Sequence, residues 1–480
     1  MKPRRLVARR PALMAPGLLE RIEEAAIRIL GEIGIGVMDL GMLAAIEKAG
    51  LPATDGRIRL DRKTVGDFLL QERKKNGNRY REDREPYDPG DDDITVYVAQ
   101  YPPFVHDPET DKIVPFTKAT LVPAVKLIDT LADRGVTSGL PGVLSDVPPE
   151  IQTVEGYWIA ATYARHGAQP VDPKNEFAVP YVMDMADALG HPMRHLPVYV
   201  FSPLNIAGES LRCVLKYKDR IDGVSVNGMP TPGGTAPIGL GNAFAMSAAE
   251  TIGGAIILKN LLGKPVSWWV SILPVDMRTM AMIYGSPENF LFHLMSSEVN
   301  AFLHGEEWYP AGGNIHTMAK LPGAQACAEK MSIMTAGALL GERYFGAVGT
   351  LGMDEVFSAE QLLYDLEIKD CVARMVAPVA ADCDPESCLA EVREGVGMHG
   401  FAGLDETMEK YRDLYWHPAL FERDFLKQWE GAGAVTIRQK TRALLRELAG
   451  KHEFRLEEGK QKAIDAILAR AREDVQKGVK

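Results

Sequence analysis

Along residues 17–50 apolar side chains recur at helical spacing (Leu19, Ile22, Ala25, Ile27 and Leu30, then Met42, Leu43 and Ile46). Gly31, Gly34 and Gly36 fall between the two runs, so the pattern predicts two helices. Asp61 is an N-cap type of residue and predicts a third helix through Val65 and Glu72. The polar stretch 74–93, with Asp91, Asp92 and Asp93, reads as an exposed linker. The alternation Ile94, Val96, Val98 then reads as a strand that enters an aromatic loop at Tyr101 and Phe104. From about Ala119 short β-rich runs alternate with helix-length amphipathic segments. Strands are predicted at 135–140, 168–171, 197–201, 223–226, 265–271, 307–310 and 344–350. Helices are predicted at 151–165, 208–218, 243–262, 287–303, 325–340 and 359–377, and the charged, apolar-periodic stretch 428–475 predicts further helices.

Strands alternating with helices define a parallel sheet, and this many units of similar size favour closure over an open sheet. The expected class is therefore α/β, a (β/α)8 TIM-type barrel with helical N-terminal and C-terminal extensions. The expected boundaries are 1–93 for the N-terminal helices and linker, 94–425 for the barrel and 426–480 for the C-terminal helices. The eighth strand has no clear place in the pattern. No GxGxxG follows an early strand, which removes the usual support for a dinucleotide site.

Composition narrows the partners more than the fold. The net charge of −11 argues against nucleic acid as a partner, because phosphates demand clustered Lys and Arg. The basic stretch 1–10 (Lys2, Arg4, Arg5, Arg9, Arg10) lacks a following apolar region with a cleavage site and reads as an arm. The most apolar run, 243–262, contains Glu250 and Lys259, so no membrane span is expected. Five cysteines, an odd number in a large chain, suit a reducing compartment, and a cytoplasmic protein is expected.

A barrel of this kind carries its chemistry at the C-terminal ends of its strands. Those positions hold Pro141, Gly142 and Asp146; Ser202, Pro203 and Leu204; Asn227 to Pro230; Trp268 and Trp269; Trp308 and Tyr309 with Gly312, Gly313 and Asn314; and Gly349 with Thr350. The stretch 227–240, NGMPTPGGTAPIGL, precedes a long helix. It is either a tight structural turn or a rigid loop that lets a large ligand approach backbone closely, with Asn227, Gly233, Gly234 and Thr235 as its contacts. Trp268, Trp269, Trp308, Tyr309 and Phe201 converge on one rim if the barrel closes. Aromatic faces attract a quaternary ammonium by about 0.5–2 kcal/mol per favourable contact, although each Trp is equally at home as core packing. His304, Glu306 and Glu307 form a compact cluster with His316 twelve residues beyond His304, yet no metal-ligand spacing such as HExxH occurs and no metal is expected. Asp354, Glu355 and Glu360 follow the last clear strand. One of them can face a substrate cation, while Ser358 with Glu360 also makes an adequate helix start.

On these residues the chain resembles the trimethylamine methyltransferase family. The likeness is carried by GEIGIGVMD with AGL near the N-terminus, by GMPTPGGTAPIGLGNAFAMSAAETIGGAIIL from Gly228, by LGMDEVFSAEQLLYDLEI from Leu351, and by GMHGFAGLDETMEKYRDLYWHPALFERDFLKQWEGAG from Gly397. The resemblance implies a barrel enzyme that moves a methyl group from a small methylated amine to a corrinoid carried by a partner protein. Members acting on trimethylamine carry a pyrrolysine, matched here to 316–325, which reads HTMAKLPGAQ. The chain thus looks like the branch without pyrrolysine, which uses quaternary amines such as glycine betaine. A family histidine expected around Gly346 and Ala347 is also absent.

The implied roles follow from the chemistry of a quaternary amine, which leaves as a neutral amine and needs no general acid. Trp268, Trp269, Trp308, Tyr309 and Phe201 would wall the substrate pocket. Glu307, Glu360 and His316 would act at the reacting end, with Glu307 or Glu360 supplying compensating charge. Asn227, Gly233, Gly234 and Thr235 would lie near the corrin face. No cobalamin-binding DxHxxG occurs, so no tightly bound cofactor is expected and the corrinoid should arrive on its own protein. A homo-oligomer is expected. The competing readings are a metal-dependent barrel lyase or hydrolase built on His304, Glu306 and His316, and a non-catalytic homologue that binds its ligand without turnover.

Overall fold

A computed structural model gives the architecture. It describes residues 6–9, 12–38, 40–81, 89, 92–173, 175–307, 313–379, 381 and 383–479, with the side chain of Leu40 left aside. Three helices open the chain, Leu18–Glu32, Leu40–Lys48 and Arg62–Lys75. The third begins where the pattern placed it, because the Asp61 carboxylate accepts the Thr64 N–H at 2.8 Å. Much of the linker expected at 74–93 lies outside the described residues.

The strand Thr95–Val98 supplies the place that the sequence pattern left open. It pairs in parallel with Tyr344–Val348, the last strand of the repeating series, and Val96 also bridges Val136 in parallel. First and last units of the series are thereby neighbours, as a closed ring requires. On the other side His195–Phe201, Gly223–Asn227 and Val266–Trp269 form a second parallel arc. Asn314 bridges Gly346 in parallel, placing the segment after the sixth strand beside the last one. The run expected at 135–140 makes only the Val136 bridge, and 168–171 is a turn, a bend and irregular chain rather than a strand. The strand expected at 307–310 falls largely outside the described residues.

Helices cover the outside of this ring, namely Lys118–Thr130, Gln152–Tyr163, Ala178–Leu189, Glu209–Lys216, Leu240–Leu262, Pro287–His304, Ala324–Leu339 and Ala359–Val376. Leu240–Leu262 is sandwiched between the ring and the N-terminal helices. A Cβ at Gly253 would come within 2.6 Å of Leu30, and one at Gly254 within 3.0 Å of Val226, so both neighbours pack closely because side chains are missing there. The charge within this apolar helix has a structural task. Fully buried Glu250 accepts the Leu204 N–H at 2.7 Å and the Ser202 hydroxyl at 2.8 Å, closing the turn after His195–Phe201. Burial raises its pKa, and the two donors partly offset that.

Beyond Val376 the helices Pro385–Gly397 and Asp405–Leu414, counted with the barrel in the pattern, lie after its last helix. Glu458–Gln476 returns to pack on Gln152–Tyr163 and Ala178–Leu189, while Ile437–Leu448 packs on Ala359–Val376. Both terminal extensions thus clamp the barrel from outside. Among the described residues no helix is long and apolar enough to cross a membrane.

Candidate active site

The strands end at a cavity of about 820 Å3. Its wall is set by the period-2 alternation of each strand. Tyr97 stands between buried Val96 and Val98, Tyr199 between buried Val198 and Val200, and Trp269 beside buried Trp268, so the aromatic member of each set faces the interior while its neighbours face the helices. Tyr101, Tyr284 and Tyr344 complete the aromatic lining, and Asp172 and Asp354 are its carboxylates.

These groups hold one another in place. Tyr97 stacks on Tyr344 with centroids 4.7 Å apart and donates its hydroxyl to Asn314 Oδ1 at 2.8 Å. This pair lies over Gly346, where a Cβ would stand 2.3 Å from the Tyr97 hydroxyl and 2.4 Å from Asn314 Oδ1. The position around which the family histidine was expected is thus closed to a side chain at Gly346. Next to it, Ala347 takes a positive φ of 65°. Its carbonyl accepts from Lys330 Nζ at 2.9 Å, and the fully buried Lys330 pairs with Asp365, which also accepts the Gly349 N–H at 2.7 Å. Across the cavity the Tyr199 hydroxyl donates to Asp172 Oδ2 at 2.8 Å.

His316 lies at the Asp354 end. Its Nε2 is 2.8 Å from Asp354 Oδ1 and its ring stacks on Tyr284 at 4.7 Å. Asp354 is brought there by its own turn, in which the Gly352 and Met353 amides donate at 2.7 Å to the carbonyls of Ala319 and Thr317. Burial raises the pKa of Tyr97, Tyr101, Tyr199 and Tyr284 above the ordinary phenol value. Tyr97 and Tyr284 are each pushed up to about 12 by desolvation first and nearby charges second, and Tyr199 is raised further, by burial and then by the Asp172 charge. Burial likewise pushes His293 down to about 4, with His316 adding to the effect. The lining is therefore neutral aromatic surface with two carboxylates, an arrangement that accepts a small cation.

Of the residues singled out in the sequence, Trp269 and His316 line this cavity. Trp268 faces the other way, stacked on His304 at 3.9 Å and set against Phe68 at 6.0 Å, because adjacent strand residues point to opposite faces. His304, whose Nε2 meets the Trp268 carbonyl at 3.2 Å, and Glu306 line a separate cavity of about 540 Å3 at the N-terminal ends of the strands. The metal set of His304, Glu306 and His316 is therefore split between the two ends of the barrel. Glu307 follows Glu306 as an exposed residue at that same end. Trp308 and Tyr309 lie outside the described residues. Phe201 is exposed at its strand end, with its ring over Gly208, and does not line the cavity.

Glu360 is buried away from the mouth. It accepts from Arg438 Nε at 3.0 Å and from the Tyr364 hydroxyl at 2.9 Å, while Ser358 caps its helix by accepting the Gln361 N–H. His106, Asp111 and Glu360 come close enough to hold a metal ion, but Arg438 and Arg442 already pair with both carboxylates. Asn227 ends its strand, donating to Ser225 Oγ at 3.2 Å. Gly233, Gly234 and Thr235 form a self-contained turn. The Thr235 N–H donates to Thr231 Oγ1 at 3.2 Å, a Cβ at Gly234 would meet that oxygen at 2.5 Å, and Gly233 needs its φ of 85°. Tyr97, Tyr199, Tyr284, Tyr344, Asp172 and His293 were not singled out in the sequence. The signal that could have found the first two is an aromatic residue out of phase with the buried alternation near a strand end.

The geometry defines a class, an α/β-barrel protein with an aromatic, acidic cavity at the C-terminal mouth of its strands. The trimethylamine methyltransferase (MTTB) family matches residues 4–151 and 178–476, and the chain belongs to that family. It is 25% identical to trimethylamine methyltransferase MttB of Methanosarcina barkeri over 258 residues, 54% of this chain and 51% of that protein. The match therefore spans about half the length of that relative. It is 22% identical to the glycine betaine methyltransferase of Desulfitobacterium hafniense strain Y51 over 433 residues, 86% of this chain and 87% of that protein. Among solved structures, the Methanosarcina barkeri monomethylamine methyltransferase (MtmB) aligns at 12% identity and a TM-score of 0.45, over 98% of this chain and 88% of that one.

Proposed function

We propose that this protein is a methyltransferase that takes a methyl group from a quaternary amine and passes it to the corrinoid of a partner protein. The observation that carries the reading is the cavity itself, with Trp269 and five tyrosines around the space and Asp172 and Asp354 in its wall. A quaternary ammonium has no N–H to donate, so it is held by ring faces and by carboxylates at a distance, and this lining supplies both. Its departing group is a neutral tertiary amine, so none of the lining residues has to deliver a proton. What these residues do is orient the amine and exclude water from the methyl group, which is catalysis by positioning.

The mouth also fits the other reactant. Met229, Ile238, Met277 and Met280 are exposed on the loops that follow Gly223–Asn227 and Val266–Trp269, and Ile238 and Met277 both lie against Gly233. This apolar rim, rather than the self-packed Gly233 to Thr235 turn, would meet the face of a large flat macrocycle. When bound, the Co(I) corrinoid supplies the nucleophile that accepts the methyl group.

The test is anaerobic mixing with added cob(I)alamin, followed by absorbance, across glycine betaine, proline betaine, carnitine, choline and trimethylamine. A spectral change dependent on one quaternary amine is the expected result. Silence across the panel, repeated with a cognate corrinoid protein, would leave a ligand-binding homologue without turnover.

A further inference from the structure

We infer that the helix Asp405–Leu414 pairs antiparallel with the same helix of a second copy of this chain across a two-fold axis, with Pro385–Gly397 widening the contact. Within their own chain these two helices bury almost nothing. Among the described residues the first encloses Gly395 alone and the second none, and neither packs extensively on another helix or strand. Helices shorter than about 12–15 residues are marginal in water unless an apolar face is covered. The Arg374 guanidinium donates to the Leu414 carbonyl and ties the second helix to the last barrel helix, but this is a polar tether rather than packing. Ile437–Leu448 of the same extension, by contrast, packs on Ala359–Val376.

The pattern of the two helices shows which face is missing its cover. Leu404, Met408, Tyr411 and Tyr415 recur at i, i+4, i+7 and i+11, one stripe of a helix, while Glu406, Glu409, Lys410 and Asp413 fall on the opposite face. Leu389, Val392 and Val396 form a similar stripe on the preceding helix and are exposed. Leu389, Val396, Met398, Phe401, Met408 and Tyr415 are each between 48% and 65% exposed. At about 200 Å2 for a large apolar side chain, half exposure of these six leaves about 600 Å2 open. That is the upper end of what a monomer shows, and most of the roughly 800 Å2 that each partner gives to a standard interface.

Charge decides the occupant, because the stripe fits its own copy. Antiparallel pairing sets Met408 of each copy against Tyr411 of the other. One flank of the stripe carries Asp405 and, seven residues later, Arg412; the other flank, Thr407 and Leu414, is uncharged. The same pairing brings Asp405 of each copy to within about 3 Å, along the helix axis, of the level of Arg412 in the other. Symmetry makes two such pairs, both of opposite charge, which is the self-complementarity an isologous contact requires. None of these residues lines the mouth cavity, so the contact stands independently of the proposed function.

Sedimentation equilibrium of the full chain tests this, with self-association expected for the wild type. Asp405→Arg and Arg412→Asp each set like charges across the axis and should each weaken self-association by about tenfold or more. Mixing the two variants should restore it, since each replaced residue then faces an opposite charge in the other copy. Met408→Ser removes a stripe contact without changing charge and should also weaken association, which keeps the test open if a charge variant fails to fold. A monomeric wild type overturns the inference, as does a mixture of folded variants that restores nothing. Assembly left intact by all three substitutions overturns it by placing the contact elsewhere. Protection of these helices from hydrogen exchange only after a corrinoid protein is added overturns it by giving the face to a different partner.

Discussion

Two cavities lie at opposite ends of this barrel, and the same two elements serve both. Val266–Trp269 sends Trp269 to the mouth and Trp268 to the outer packing near the base. Pro287–His304 sends His293 to the mouth and ends in His304 at the base. At the base His304 is stacked on Trp268 and meets its carbonyl, and Gly305 accepts the Arg79 N–H at 2.7 Å, while the buried Trp268 Nε1 has no hydrogen-bond partner among the described residues. At the mouth rings and carboxylates surround open space, and the buried His316 Nδ1 has no hydrogen-bond partner among the described residues. Trp and His therefore carry no functional meaning by type alone. Their meaning comes from the end of the strand and the face of the sheet on which they fall.

Substitutions can break this contrast or sharpen it. Trp268→Ala should have the largest effect, a loss of about 3–5 kcal/mol in stability by denaturant unfolding, since it empties a packed aromatic site. Affinity for the amine, measured on the folded fraction, should hold; a selective loss of affinity would put the base in the site after all. Glu360→Gln should cost about 1.5–3 kcal/mol, because it weakens charged hydrogen bonds that fasten the Ile437–Leu448 helix. Unchanged amine binding in that variant would separate this third cluster from both cavities. Trp269→Ala should reverse the first pattern, lowering amine affinity by about 0.5–2 kcal/mol for the lost ring contact, as read by titration.

The contrast between mouth and base also extends to pH dependence. Burial holds His293 and His304 down, each at about 4 against an ordinary 6.5. Between those values the unfolded chain binds protons that the folded chain refuses, so stability should fall as pH drops from about 6.5 towards about 4. The slope should reach about 1.4 kcal/mol per pH unit for each histidine. Unfolding curves at pH 7, 6 and 5 check it, and His304→Phe should remove only the share belonging to the base.

Much of the scaffold was legible because local rules act on neighbouring residues. The caps at Asp61 and Ser358 and the helix at Pro287–His304 follow from side chains within a turn of the element they start. Less of the site was legible. Trp269, from the strand-end positions, and His316, singled out beside His304, both line the cavity, whereas Trp268 and Glu360 do not join them. Tyr284, Tyr344, Asp172 and His293 come from loops and elements whose convergence no local pattern records. The eighth strand shows the same limit, since Thr95–Val98 is readable as a strand but its partner lies about 250 residues away, at Tyr344–Val348.

By itself the sequence determined the alternation of strands and helices, the acidic balance, and the family, because composition, periodicity and long motifs are properties of contiguous residues. Only the tertiary structure decided which of two adjacent tryptophans faces the cavity and which histidine stands beside Asp354. Those outcomes depend on strand phase, on ring closure, and on side chains such as Asp354 that a distant turn delivers to His316.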